Sequence, residues 1–172
     1  VREDIDGAVL ASTVCAHPLR GGGYDFAVPL IPSNHVTTEQ GSGFVHTAPG
    51  HGAEDYDAVM AHNARLEQAG EGAAAIEVPQ TVGGDGKLFD HVPLFAGHHV
   101  YKAHYAVAEA LQAAGGLLAR GTLVHSYPHS WRSKAPLIFR NTPQWFISMS
   151  TTGLREAALT GIDNVRWVPR SG

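Results

Sequence analysis

Cysteine is nearly absent from this sequence: Cys15 is the only one. No intramolecular disulfide can form, so the fold must hold without a covalent staple, and a reducing compartment, the cytoplasm, is expected. Cys15 itself is expected to be a small buried hydrophobe. Long apolar runs are missing as well. None approaches the roughly 18–20 residues of a bilayer span, so no membrane association is expected, and no signal-peptide pattern is visible. Charge is sparse: charged residues make up 16% of the chain and balance to −4. That leaves no overall basic footprint for nucleic acid. A free-standing RNA-binding module is thereby disfavoured, whereas a domain that receives only the end of a nucleic acid held elsewhere is not.

What remains suits a packed domain. At 172 residues and 44% hydrophobic content, the chain is long enough for a real core and too apolar for a disordered segment. Residues 8–16, 24–31 and 36–39 read as strands, rich in Val, Ile, Thr and aromatics and broken by Gly21-Gly22-Gly23 and Pro32. Gly83-Gly84-Asp85-Gly86 before Lys87 reads as a hairpin turn, because Gly and Asp tolerate positive φ. Residues 103–114 predict a helix ended by Gly115-Gly116, and 117–124 a further strand. Many strands with few helices predict a mainly β fold with flanking helices around a β-barrel-like core.

The densest chemistry lies in Gly41-Ser42-Gly43-Phe44-Val45-His46-Thr47-Ala48-Pro49-Gly50-His51-Gly52-Ala53-Glu54-Asp55-Tyr56. Phe44-Val45 reads as the end of a buried strand, and Pro49-Gly50 breaks the chain. From Glu54 the period becomes helical, with Tyr56, Val59, Met60 and Leu66 in phase and Gly70 as a stop. Glu54 and Asp55 therefore have two readings. They compensate a helix N-terminus, or Asp55 aims a carboxylate into a pocket and binds a cation such as an ammonium. His46, His51 and Asp55 are legitimate metal ligands, but their spacing matches no standard zinc signature, so no metal is expected here.

This stretch resembles the editing domain of class I aminoacyl-tRNA synthetases of the isoleucine, valine and leucine group. Val45 to Gly52 follow the isoleucine form, His-Thr-Ala-Pro-Gly-His-Gly, rather than the Pro-Ala-His-Asp of the other two. A second segment agrees: His125-Ser126-Tyr127-Pro128-His129-Ser130-Trp131-Arg132-Ser133-Lys134-Ala135-Pro136-Leu137-Ile138-Phe139-Arg140, followed by Thr142 to Met149, is similar to the return of this insertion to the catalytic domain. The resemblance covers nearly the whole chain. It implies the editing-domain barrel, with 1–125 as the domain core lacking its N-terminal part, 126–149 as return segment and hinge, and 150–172 as a tail poorly anchored by itself. The aromatics and cations of 126–149 would also suit nucleic-acid stacking. The hinge reading is preferred because stacking platforms come with a stronger basic groove.

By the same resemblance, the activity is hydrolysis of valine wrongly esterified to the 3′-terminal adenosine of isoleucine tRNA. Hydrophobic pockets discriminate one methylene weakly, a property for which the isoleucine enzyme is itself the standard example, and a second site can exclude the larger side chain. Asp55 matches the family aspartate that holds the substrate ammonium, and His46 the histidine lining the same pocket. These two are the expected catalytic residues. Thr47, Ala48, Pro49, Gly50 and His51 are the expected substrate-binding wall, with a structural hydrogen-bonding role for His51 equally open. No cofactor is expected in this chain; ATP and Mg would serve the parent enzyme elsewhere, since neither a HIGH-like nor a KMSKS-like motif is present. The implied partners are the 3′ end of valine-carrying tRNA(Ile) and the parent catalytic domain, with a monomer expected. The alternative reading is a non-catalytic insertion that positions the tRNA end or braces the synthetase. Two departures matter. The family's threonine-rich pocket segment is not seen and normally precedes the start of this chain, so hydrolysis by the chain alone should be weak or absent. Ser130 and Ser133 stand where many relatives have Cys-x-x-Cys, so no zinc is expected there.

Overall fold

The computed structural model describes residues 5–39 and 41–170. The outermost residues of the expected division, 1–4 and 171–172, lie outside the described residues, as does Gln40. Two compact units make up the chain, one running to Asn141 and the other beginning at Thr142.

In the first unit the N-terminal stretch divides. Asp6 caps a 3-10 turn over Gly7–Leu10 by accepting from Ala8 N at 3.0 Å. Only Val14–Ala16 (β1) is a strand, paired antiparallel with Ala27–Pro29 (β2) in the register Val14 to Pro29, Cys15 to Val28 and Ala16 to Ala27. The connection between them contains Gly21 and Gly23 at φ of 86° and 96°. Cys15 is exposed, contrary to the expected buried hydrophobe. The physical reason is the two-stranded ribbon: among the described residues no helix or further strand packs against it.

Helix α1 spans Ala53–Gln68 and helix α2 spans Val100–Ala113. Both end in the same way. Gly70 and Gly115 adopt positive φ, and the next residue donates back to the last turn, Glu71 N to Leu66 O at 2.7 Å and Gly116 N to Leu111 O at 2.8 Å. This is the Schellman arrangement, which satisfies carbonyls the helix leaves unpaired. Asn63 ties α1 to the chain beyond it, donating from Nδ2 to Ile76 O and accepting from Ile76 N, both at 2.8 Å.

The expected turn at Gly83–Gly86 is present: Gly83 N donates to Lys87 O at 2.8 Å, and Val82 bridges Leu88. This loop returns apolar side chains beneath α2. Leu19, Val92 and Phe95 are buried there, with Tyr24, Leu88, Ala106, Val107, Ala110 and Leu111 packed against them. Fully burying side chains of this size stabilises by roughly 1.5–3 kcal/mol each. Val59 and Ala58 on α1 are also buried.

The barrel does not appear. Among the described residues there is one two-stranded sheet with isolated bridges and three α-helices, so the observed fold is a mixed one. Residues 36–39 and 117–124 form no strand. A barrel needs every strand paired on both sides, and these stretches find no ladder partner among the described residues. In the second unit, Leu154–Asp163 forms helix α3 within the stretch expected to be a tail, and Trp167 Nε1 donates to Ile162 O at 3.1 Å. No described helix is long and apolar enough to cross a membrane.

Candidate functional site

The chain enters the loop before α1 through Gly41 and Gly43, at φ of 81° and 77°. Phe44 and Val45 follow, 61% and 56% exposed. The expected end of a buried strand is therefore an open loop: left-handed glycines beside Phe44 break any ladder, and Phe44 N turns to Ser42 Oγ at 3.3 Å. His46 is exposed; Thr47, Ala48 and Pro49 are half-buried, and Gly50 is buried.

A turn then reverses the chain, with His51 N donating to Ala48 O at 2.9 Å. Pro49 occupies the position of such a turn that its fixed φ suits. Space at Gly50 is tight, since a Cβ there would lie 3.2 Å from Pro79 O. His51 uses both ring nitrogens inside the protein. Nδ1–H donates to Phe139 O at 2.8 Å, and in the neutral ring Nε2 accepts from the Thr81 hydroxyl at 2.8 Å. His51 thus ties the turn to two distant segments.

Asp55 lies in the first turn of α1, half-buried, and folds back over Gly52. Its Oδ2 accepts from Ala48 N at 3.0 Å. Gly52 permits this, because a Cβ there would sit 2.9 Å from Oδ2. The carboxylate therefore both latches the turn and stands beside a helix N-terminus whose cap residue, Gly52, offers no side-chain bond. Its other oxygen, Oδ1, faces His35 Nε2 at 3.8 Å. A half-buried carboxylate with one oxygen held by an N–H and the other less engaged can take a cation through a charge-assisted hydrogen bond.

His46 goes a different way. Burial, with the neighbouring charge of His46 as the lesser cause, lowers the pKa of His17 below its ordinary value. The His17 and Tyr24 rings stack with centroids 4.7 Å apart. No hydrogen bond or ion pair joins His46 to Asp55 among the described residues. No described group of three or more His, Cys, Asp or Glu side chains has metal-binding geometry. At 130–135 the serines close their own loop: Ser133 N donates to Ser130 Oγ at 3.2 Å, and Ser130 N to Ala135 O at 2.9 Å. A shallow groove of about 350 Å³ along α1 is lined by Met60, Asn63, Ala64, Glu67, Gly72 and Ala75, none of them in the 46–55 loop.

Three residues of this neighbourhood escaped the sequence reading: Ser33, His35 and Thr81. The partnerships with Asp55 and His51 come from far along the chain.

No family model matches the chain. It is 50% identical to the isoleucine–tRNA ligase of Bradyrhizobium diazoefficiens over all of its length, covering 19% of that protein. Against the isoleucine–tRNA ligase of Rhodopseudomonas palustris it is 49% identical over 98% of its length, covering 18%. For that of Pelagibacter ubique the values are 47%, 96% and 17%. The chain thus spans about a fifth of the length of the curated relatives it matches. With half its residues shared along nearly its whole length, the chain belongs to the isoleucine–tRNA ligase family, as the counterpart of one segment of those proteins.

Proposed function

We propose that this chain is the editing part of an isoleucine–tRNA ligase, hydrolysing the ester between valine and the 3′-terminal adenosine of isoleucine tRNA. The observation that carries the reading is the Asp55 carboxylate, pinned through Oδ2 to Ala48 N at 3.0 Å with Oδ1 facing the His35 side. It holds the substrate ammonium, and so fixes the ester carbonyl relative to an attacking water. Water adds to the carbonyl carbon, the bond to the ribose oxygen breaks, and that oxygen leaves with a proton as the tRNA hydroxyl. Valine is released as the free acid. His46 lines the open side of the loop and orients water or hydroxyls, and the terminal ribose hydroxyl assists. Thr47 to Gly50 shape the wall, while His51 braces it through Phe139 and Thr81. The reaction asks no nucleotide or metal of this segment. Its partners are the tRNA end and the rest of the synthetase.

A second reading, an insertion that only braces the synthetase or positions the tRNA end, is favoured by one observation. Large apolar side chains such as Trp131 in the first unit and Trp145 in the second are exposed, as partner-facing surfaces are.

Release of valine from Val-tRNA(Ile) separates the two. The chain alone should be weakly active or inactive, and a version lengthened upstream through the threonine-rich segment should be active. In that version Asp55→Ala should lower the rate by at least about a hundredfold. A lengthened protein that binds the tRNA and releases no valine would establish the bracing role instead.

A further inference from the structure

The Asp55 carboxylate is met from two sides by two separate parts of the chain, through one hydrogen bond and one longer contact. Ala48 N reaches Oδ2 at 3.0 Å from the turn just before the helix. From the segment after β2, His35 Nε2 faces Oδ1 at 3.8 Å, and Ser33 Oγ lies 2.7 Å from His35 Nδ1. Both the His35 and Asp55 side chains are about one-fifth exposed, at 23% and 22%, so water screens this contact only in part.

We propose that His35 is a positioning residue for Asp55, set in its working tautomer by Ser33; the substrate side of this role rests on the editing reading above. The chemistry follows from the donor inventory. A neutral imidazole has one N–H and one bare nitrogen. When the Ser33 hydroxyl donates to Nδ1, the ring proton sits on Nε2, the nitrogen that faces Asp55. A carboxylate in a helix's first turn can still swing about its side-chain torsions when only one oxygen is pinned. His35 supplies the second point and fixes where Oδ1 rests. That oxygen is the one free to meet an ammonium, because Oδ2 is spent on Ala48 N. The distance of 3.8 Å is longer than a hydrogen bond, and leaves Oδ1 oriented without being closed off. Ser33–His35–Asp55 is thus an orienting relay from hydroxyl to imidazole to carboxylate. It differs from a nucleophilic triad in that its carboxylate, rather than its serine, faces substrate.

Two measurements test this and fail separately. In the present chain, nitrogen-15 spectra of the neutral His35 imidazole should show the Nε2–H tautomer, and Ser33→Ala or Asp55→Ala should each shift the tautomer balance. A predominant Nδ1–H form, or a balance indifferent to both substitutions, overturns the relay whether or not the protein edits. In the lengthened protein, His35→Leu should cut kcat/KM for Val-tRNA(Ile) hydrolysis by about tenfold to a hundredfold. His35→Gln, which returns an N–H near the Nε2 position, should recover most of that loss. Equal losses in both variants, or none in either, overturn the positioning role. Absence of hydrolysis in the unsubstituted lengthened protein overturns the editing reading, and with it the substrate side of the role, while the spectra still decide the relay.

Discussion

Two apolar stretches of the first unit meet opposite fates. Beneath α2, the loop that follows the Gly83–Gly86 turn delivers Val92 and Phe95 onto Leu19 and the Ala106–Leu111 face. Just beyond the end of the same helix, Leu118, Leu123 and Val124 are 100%, 84% and 99% exposed. Hydrophobicity does not separate them. The first stretch has a returning backbone: Leu88 N donates to His98 O at 2.9 Å, Gly97 N to Leu88 O at 2.9 Å, and Val100 N to Gly86 O at 2.9 Å. These bonds fold the loop against the helix start. The second forms no ladder among the described residues. Burial here goes together with backbone closure, since a run whose N–H and C=O groups lack partners is costly to bury.

The sharpest way to break this comparison is to truncate one side chain in each region. Phe95→Ala should destabilise the chain by about 3–5 kcal/mol, read by denaturant unfolding, whereas Leu118→Ala should stay within about 0.5 kcal/mol. Similar costs at both sites would mean that 117–124 is buried in solution. Asn63→Ala comes next. It strips Ile76 of both backbone partners, and a cost of about 1–3 kcal/mol is expected.

The closure itself can be tested at Gly86. Its φ is +75°, and a Cβ would lie 2.9 Å from both His99 Nε2 and Ile138 Cδ1. Gly86→Ala should cost more than about 1 kcal/mol and speed amide exchange through 88–100. A neutral outcome would detach closure from core formation. The smallest effect expected is a pH dependence. Burial, and secondarily His46, lowers the His17 pKa; burial, and secondarily Arg65, lowers that of His62. A depressed histidine means that the unfolded chain binds the proton first. Stability should be fully present above the ordinary value of 6.5 and fall as the pH drops below it. His17→Gln should flatten this decline without removing it, because His62 acts in the same direction; thermal melts across that range check the sign.

The candidate site was legible to different depths. Asp55 sits in the first turn of α1 with its carboxylate turned back to the loop, whereas His46 stands exposed in the loop itself. One oxygen of that carboxylate latches the turn, and the other faces His35 Nε2 at 3.8 Å. The Phe44-Val45 strand was misread because apolar residues beside a loop look like a strand end, while the flanking Gly41 and Gly43 take left-handed conformations. Cys15 was misread for the same kind of reason: its residue type favours burial, but a two-stranded ribbon supplies no cover.

Local chemistry alone determined where α1 and α2 lie. The 3.6-residue period sets the phase of Val59, Met60 and Leu66, and Gly70 and Gly115 stop α1 and α2 because only glycine takes their left-handed turn without cost. The Gly83–Gly86 reversal is local in the same sense. Tertiary structure decided which apolar runs are covered, that both nitrogens of His51 are spent on Phe139 and Thr81, and that His35 comes to face Asp55. Those outcomes depend on segments far apart in the chain meeting in space, and no periodicity or propensity within a short window encodes such a meeting.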